Sequence, residues 1–323
     1  MRWGLVGCGD IAQRRVAPAL SDLPICDLVS VARSRFEMAE AFAKQFGVRK
    51  WAKTWQELVR DPEIDAVYVA TPVYLHCEIT ESAAENGKHV LCEKPMAISV
   101  AECDRMIEAC RSNRVKLGVA YYRRFYPVLK RIKNLLASAE IGRPVLARLE
   151  AFEHFNPKPG GARTWLLQKD KAGGGPLFDF GCHRVEVLLD LFGPVARVRG
   201  FASNALFKER EVEDTASVLF EFQSGCQGVL SVSHAVFEKQ DAFELFGSEG
   251  TVRVPILNEG ILHLKTKQHE HVEKHPPHPN IHQPLIEDFA RALLDNRDPA
   301  VDGSIGREVN RILADMNPVK RED

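Results

Sequence analysis

The sequence predicts an α/β protein in two parts: a doubly wound parallel sheet over residues 1–119, and an α+β domain with an antiparallel or mixed sheet over 120–323. Three observations predict it. Up to about Gly118, short runs rich in Val, Leu and Ile alternate with longer segments of helical period, the pattern of repeated βα units. A glycine turn, Gly7-Cys8-Gly9-Asp10-Ile11-Ala12, stands between the first of these runs and the first helical segment. After the helical stretch Tyr126 to Leu136, closely spaced runs alternate with period two instead.

In order, the first part should hold strands at Trp3 to Val6, Leu28 to Ala32, Ala66 to Ala70, His89 to Cys92 and Lys116 to Val119. Between them the spacing predicts helices at Ile11 to Leu20, Glu37 to Phe46, Trp55 to Val59, Glu78 to Asn86 and Ala101 to Arg111, with Gly47 and Gly87 at expected helix stops. The second part should hold a strand, a Gly/Pro-rich loop and one helix. Strands then follow at Val195 to Ser203, Thr215 to Phe222, Gly228 to His234, Asp241 to Phe246, Thr251 to Val254 and Ile261 to Leu264, closed by helices Ile286 to Leu294 and Ser304 to Met316. The stretch from His269 to His282 is rich in His and Pro but lacks the regular spacing of a structural zinc site, so it reads as an exposed loop and no metal is expected.

With 45% hydrophobic and 27% charged residues, a chain of 323 residues can bury sizeable cores. A formal charge of -1 gives no global basic excess for nucleic acid or an anionic membrane. Met1-Arg2 runs directly into apolar sequence without the segments of a secretory signal, and no apolar run reaches membrane-spanning length. The eight cysteines are scattered without a CxxC pair, so reduced, mostly buried thiols in a cytoplasmic protein are expected.

The glycine turn matches G-x-G-x-x-G/A in the strand–turn–helix context that gives the pattern meaning. Gly7 permits the tight turn, Gly9 lets the backbone approach a pyrophosphate, and Ala12 keeps helix and strand close. Asp10 and Ile11 open the helix whose N-terminus faces the anion. An ordinary Gly-bearing βα turn is the alternative. At the end of the second strand, where an acidic residue would favour free ribose hydroxyls, stand Ala32-Arg33-Ser34. Arg33 and Ser34 can hold a 2′-phosphate, so a Rossmann domain preferring NADP(H) over NAD(H) is expected, with a solvated arginine as the plainer alternative. Thr71-Pro72 and Glu93-Lys94-Pro95 end two further strands on the same ligand-binding rim. Lys94 can project toward the nicotinamide, although a lysine is usually a surface charge.

In the second part, Gly173-Gly174-Gly175-Pro176 leads into Leu177-Phe178-Asp179-Phe180-Gly181-Cys182-His183. Asp179 and His183 are four apart on one helix face, and a carboxylate beside an imidazole fixes its tautomer and makes it a better base. A solvated or capping pair has the same spacing.

With GCGDIA at Gly7, Thr71-Pro72 with His76, Glu93-Lys94-Pro95, Tyr122-Arg123-Arg124-Phe125 and GGGPLFDFGCH ending at His183, the chain resembles the Gfo/Idh/MocA oxidoreductases along nearly its whole length. This is the glucose-fructose oxidoreductase and inositol dehydrogenase family. The resemblance implies a Rossmann domain followed by a domain with a largely antiparallel open sheet, whose outer face commonly serves for oligomerisation as a homodimer or homotetramer. It implies an active site between the domains with Lys94, Asp179 and His183 around the reacting carbon, and a Lys94–Pro95 bond that the family's motif often holds cis. It implies a small polyhydroxylated substrate: a sugar, anhydrosugar or cyclitol, oxidised at a secondary alcohol or reduced at the carbonyl.

In that reading His183 is the acid/base, Asp179 orients it, and Lys94 polarises the substrate oxygen and shares the proton path, with the roles of Lys94 and His183 exchangeable. His76, Glu93, Thr71 and Pro72 join the cofactor-binding set, and Arg123, Arg163 and Trp165 are candidate substrate contacts. Two departures stand out, Glu186 where the family frequently has Asp, and a short segment after Met316. His183 also stands where the dihydrodiol dehydrogenase branch often has Tyr. A non-catalytic cofactor-binding regulator of the same fold, or a glycosidase using transient oxidation by a held nicotinamide, are the competing readings.

Overall fold

Apolar runs without alternation can be buried on both faces only where helices cover both sides of a sheet, and the N-terminal strands are built that way. In the computed structural model, which describes residues 1–161 and 163–316, β1 (Arg2–Val6), β2 (Asp27–Ala32), β3 (Lys50–Ala52), β4 (Ala66–Val69), β5 (His89–Cys92) and β6 (Leu117–Val119) form a sheet in the order β3-β2-β1-β4-β5-β6. All neighbours are parallel. The order reverses between β1 and β4, the switch point outside which such sheets bind ligands. β3 has no counterpart in the sequence reading, because Lys50-Trp51-Ala52 is three residues long and only half-buried. The first helix is also not one regular α-helix: a π-helical turn, Ala12–Val16, runs into Ala17–Asp22. Elsewhere local chemistry sets the ends. Thr54 and Ser99 accept from Glu57 N and Glu102 N at 3.2 Å, capping two helices, and Gly47 closes another at φ 67°.

The chain divides into two units, Met1–Tyr122 with His278–Asn310, and Arg123–Pro277 with the chain from Arg311. The sequence reading gives all of 120–323 to the second domain, whereas 278–310 belongs with the first unit. The reason is packing that no local pattern announces. On the helix Gln283–Leu294, Ile286, Phe289 and Ala290 complete the core around Trp3 and Leu5. Gly118 admits the Phe289 ring, which would lie 2.6 Å from a Cβ placed there.

The second unit carries β7 (Pro144–Phe152), β8 (Val195–Ser203), β9 (Thr215–Phe222), β10 (Gln227–Ser233), β11 (Gln240–Gly247), β12 (Gly250–Val254), β13 (Ile261–Thr266) and β14 (Glu270–Lys274) in the order β14-β13-β12-β11-β7-β10-β9-β8. Only β7 and β10 run parallel; the other pairs are antiparallel. One face is core, as period two requires: Ala216, Val218, Phe220 and Phe222 of β9 are buried and the residues between them are not. β14 lies in the stretch read as a loop. Its residues are mostly polar and exposed, and its register comes from pairing Ile261 with Lys274, so no apolar alternation betrays it. All eight cysteines are free, seven of them buried. Among the described residues no helix is long and apolar enough to cross a membrane.

Candidate active site

At the carboxyl end of β1 the chain turns through Gly7 at φ +98°, where a Cβ would lie 2.5 Å from the Ala70 carbonyl oxygen beyond β4. Only glycine fits. Gly9 meets the opposite condition, with nothing within 4 Å of a Cβ, which leaves the backbone open at the start of the helix. Asp10 is exposed there, Ile11 half-buried, and Ala12 wholly buried against the sheet. A bare backbone at a helix N-terminus fits a dinucleotide pyrophosphate. Arg33, from the end of β2, lays its guanidinium on this turn, Nη1 donating to the Cys8 carbonyl at 2.7 Å, while Ser34 is exposed beside it.

The turns after β4 and β5 are tied together by His76. Its Nε2 lies 3.0 Å from Thr71 O and its Nδ1 3.1 Å from Pro95 O, and the ring has no exposed surface. Thus His76, placed by the sequence reading among the cofactor contacts, is a strut joining Thr71-Pro72 to the cis Lys94–Pro95 turn. Burial lowers its pKa and favours the neutral ring. Glu93 also points inward. Its Oε1 accepts from Tyr68 Oη at 2.8 Å, its Oε2 from the Lys94 backbone N–H at 3.3 Å, and His282 Nε2 lies 3.4 Å from Oε1. Burial pushes its pKa up, but His282, Lys94 and Tyr68 together outweigh burial and hold it below the usual range. Glu93 is thus buried against Tyr68, His282 and the Lys94 backbone, and Lys94 itself is half-buried.

In the second unit the glycine run enters a π-helical turn, Leu177–Gly181, that continues as the helix Cys182–Phe192. The expected regular α-helical face is therefore widened at Asp179. A Cβ on Gly175 would lie 1.8 Å from Glu213 O, and the Glu213 carboxylate accepts from Gly175 N at 2.8 Å and Leu177 N at 3.4 Å. That carboxylate satisfies N–H groups a helix start leaves over and fixes where the turn begins. Asp179 keeps 14% of its side chain exposed; its Oδ2 lies 3.4 Å from both Arg163 Nη2 and His234 Nε2. His234 is wholly buried between the rings of Phe155 and Phe180, and His183 is buried at the first turn of its helix. Ligand atoms of Glu153, Asp179 and His234 come within 4.8 Å of one another, but the Arg163 guanidinium on the same Asp179 oxygen competes with any cation there.

Of the candidate substrate contacts, Arg163 is exposed over the Phe155 ring and Trp165 is partly buried against Phe155, Leu166 and Ala172. Arg123 is not available. It is 3% exposed and paired with Asp241 at 3.0 Å, in a buried cluster with Arg184. Glu186 is likewise closed off: it is fully buried, with Arg124 Nε at 2.7 Å. Burial pushes its pKa up to about 7, Arg124 opposing and Asp190 adding to the rise. Glu153, Glu213 and His234 carry no local sequence signal. His282 has a weak one, as the last residue of the His-rich stretch.

Comparison with known proteins bears on this arrangement. A family model described as an oxidoreductase family with an NAD-binding Rossmann fold matches residues 1–121, and one described as the GFO/IDH/MocA C-terminal domain matches 129–253. The chain is 31% identical over 312 residues to a 1,5-anhydro-D-fructose reductase of Ensifer adhaerens, covering 94% of this chain and 92% of that protein. It is 32% identical over 257 residues to a trans-1,2-dihydrobenzene-1,2-diol dehydrogenase of Xenopus laevis, covering 79% and 75%. A solved aldose-aldose oxidoreductase from Caulobacter crescentus, complexed with glycerol, superposes with a TM-score of 0.89 at 26% identity, over 98% of this chain and 96% of that one.

Proposed function

We propose, from the premise that the chain belongs to the Gfo/Idh/MocA oxidoreductases, that it moves a hydride between NADP(H) and a sugar, anhydrosugar or cyclitol, at a secondary alcohol or the corresponding carbonyl. One observation carries the reading. The Gly7–Gly9 turn, the Thr71-Pro72 turn and Lys94 stand at the carboxyl ends of the adjacent strands β1, β4 and β5, where a doubly wound sheet binds its ligand.

When bound, the nicotinamide supplies a centre that accepts hydride from a carbinol carbon or returns it to a carbonyl. Gly9 and the helix start hold the pyrophosphate, and Thr71 and Pro72 border the cofactor. Arg33 and Ser34 hold a 2′-phosphate; the absence of a carboxylate at 32–34 supports that preference. The Lys94 Nζ polarises the substrate oxygen. The His183 imidazole takes the hydroxyl proton on oxidation and gives it back on reduction, with Asp179 favouring the protonated ring. Arg163 and Trp165 contact substrate hydroxyls. The outward residues Phe201 and Leu219, 87% and 58% exposed on β8 and β9, support self-association through the open sheet. A spectrophotometric screen of sugars, anhydrosugars and inositols with both cofactors, in both directions, tests this. Turnover should favour NADP(H); a clear NAD(H) preference removes the 2′-phosphate assignment, and no turnover with any of them removes the reading.

A further inference from the structure

We propose that Glu153, Asp179 and His234 form a binding site for a divalent transition ion of the zinc type, and that this ion competes with the Arg163 guanidinium for Asp179. Binding of the ion does not depend on the hydride transfer proposed above. Its one consequence there rests on that reading: an ion on Asp179 withdraws the carboxylate from catalysis, so the site is inhibitory.

The fold brings the three side chains together. β7 and β10 are parallel neighbours, so their carboxyl ends lie side by side, with Phe152 opposite Ser233. The next residues, Glu153 and His234, therefore emerge together. Their backbones are fixed: Glu153 N donates to Ser233 O at 3.0 Å, Phe155 N to His234 O at 2.9 Å, and His234 N to Asp214 O at 2.8 Å. Asp179 comes from the widened turn Leu177–Gly181, which packs on β10 so closely that a Cβ on Gly181 would lie 3.4 Å from Val232 Cγ1. Ligand atoms of all three side chains then fall within 4.8 Å of one another.

A second observation points to a ligand. His234 has no exposed surface, and the Phe155 and Phe180 rings hold it with centroids 4.9 and 5.2 Å away. Yet among the described residues neither of its ring nitrogens makes a hydrogen bond, although Nε2 lies 3.4 Å from Asp179 Oδ2. Buried polar groups in native proteins have partners, and an orphan of this kind marks a water or an ion. One imidazole with two carboxylates is the donor set of Zn2+ and its neighbours, whereas Mg2+ and Ca2+ take oxygen alone. Zinc holds its ligands at about 2.0–2.2 Å, so the carboxylates close on the fixed ring, as their partial exposure allows. Against their two negative charges stands one guanidinium. Arg163 is 55% exposed, meets Asp179 at 3.4 Å and rests over the Phe155 ring at 4.5 Å, a placement from which a divalent ion can displace it.

The test is calorimetric titration of Zn2+ into the full-length protein without substrate or cofactor, so that failure of the proposed activity and failure of this site are separate outcomes. His269, His271 and His275 on or beside β14 can also bind zinc, so they are first replaced by glutamine and every variant is made in that background. One zinc should bind. Glu153→Gln and His234→Gln should each weaken it about 100-fold or more, since losing even an outer partner of a metal ligand costs 10–100-fold. Arg163→Gln should act in the opposite direction and tighten it about fivefold or more, because a competing positive charge is gone. Damage to the fold would not strengthen binding. No heat of binding up to millimolar zinc in that background overturns the site. So does an affinity unchanged in Glu153→Gln or lowered in Arg163→Gln. If His234→Gln does not fold, the other two variants decide alone.

Discussion

Glu93 in the first unit and Asp179 in the second each face an imidazole nitrogen at 3.4 Å, that of His282 and of His234. Around Glu93 the remaining partners are a buried tyrosine hydroxyl and a backbone N–H, and the carboxylate has almost no surface. Asp179 keeps some surface, and its other cation, Arg163, is 55% exposed on a short 3-10 turn's flank. The difference separates two uses of one chemical pair. A carboxylate closed in by protein is a constant charge, whereas one whose partner is an exposed arginine can exchange that partner for a ligand.

Apart from either pair, removing the proposed acid/base should cost chemistry and leave the folded state alone. His183→Asn should lower kcat by about 10²–10⁴-fold, the usual contribution of a positioned acid/base, with cofactor affinity and melting temperature near those of the unaltered protein. Kinetics beside calorimetry checks it. Near-normal turnover with intact cofactor binding ends the proposed role of His183. Arg33→Asp is the next largest change expected. Losing a charge-assisted contact and adding a repulsive carboxylate should shift the NADP/NAD ratio of kcat/KM about 10–100-fold toward NAD.

The two glycine turns sharpen the same contrast. Gly175→Ala forces a Cβ onto the Glu213 carbonyl oxygen, 1.8 Å away, and should cost about 1–3 kcal/mol in denaturant unfolding, as overpacking does. Gly9→Ala meets nothing within 4 Å, so unfolding should not change. Its methyl group instead enters the space for the pyrophosphate, and cofactor affinity measured by fluorescence should fall about tenfold or more. Unchanged affinity would move the pyrophosphate away from this turn.

What the sequence discloses follows the range of the interactions. β5, β8 and β9 are legible to their end residues because apolar content and period are local properties. Gly7 is legible because the backbone demand is local, even though the atom enforcing it belongs to Ala70. β3 and β14 are hidden because partners, not their own side chains, make them strands. The allegiance of Gln283–Leu294 is hidden because an apolar helix face fits either sheet. Arg123 reads as a candidate substrate contact until Asp241 is brought to it, and His282 reads as loop until Glu93 is. The motifs thus name the residues proposed to face a ligand, while several residues packed against them come from far along the chain.

The smallest effect tests whether buried carboxylates in the two units can carry opposite pH signs. Glu93 is held below its ordinary pKa, so it contributes stability above the unfolded value, lost as pH falls below about 4.5. Glu186, at about 7, is the reverse. Between the unfolded value and 7 the native state holds a proton that the unfolded chain releases, so stability falls as pH rises through that window. Against Glu186→Gln, which has no proton to hold, the unaltered protein should lose about 1 kcal/mol between pH 5 and 6, somewhat under the ~1.4 kcal/mol that one full proton would give, because the unfolded carboxyl is still partly protonated at pH 5 and the native one partly ionised by pH 6. Denaturant melts of both proteins at several pH values measure this. A difference that stays flat from pH 5 to 7 would mean that Arg124 wins over burial, making Glu186 a fixed anion like Glu93.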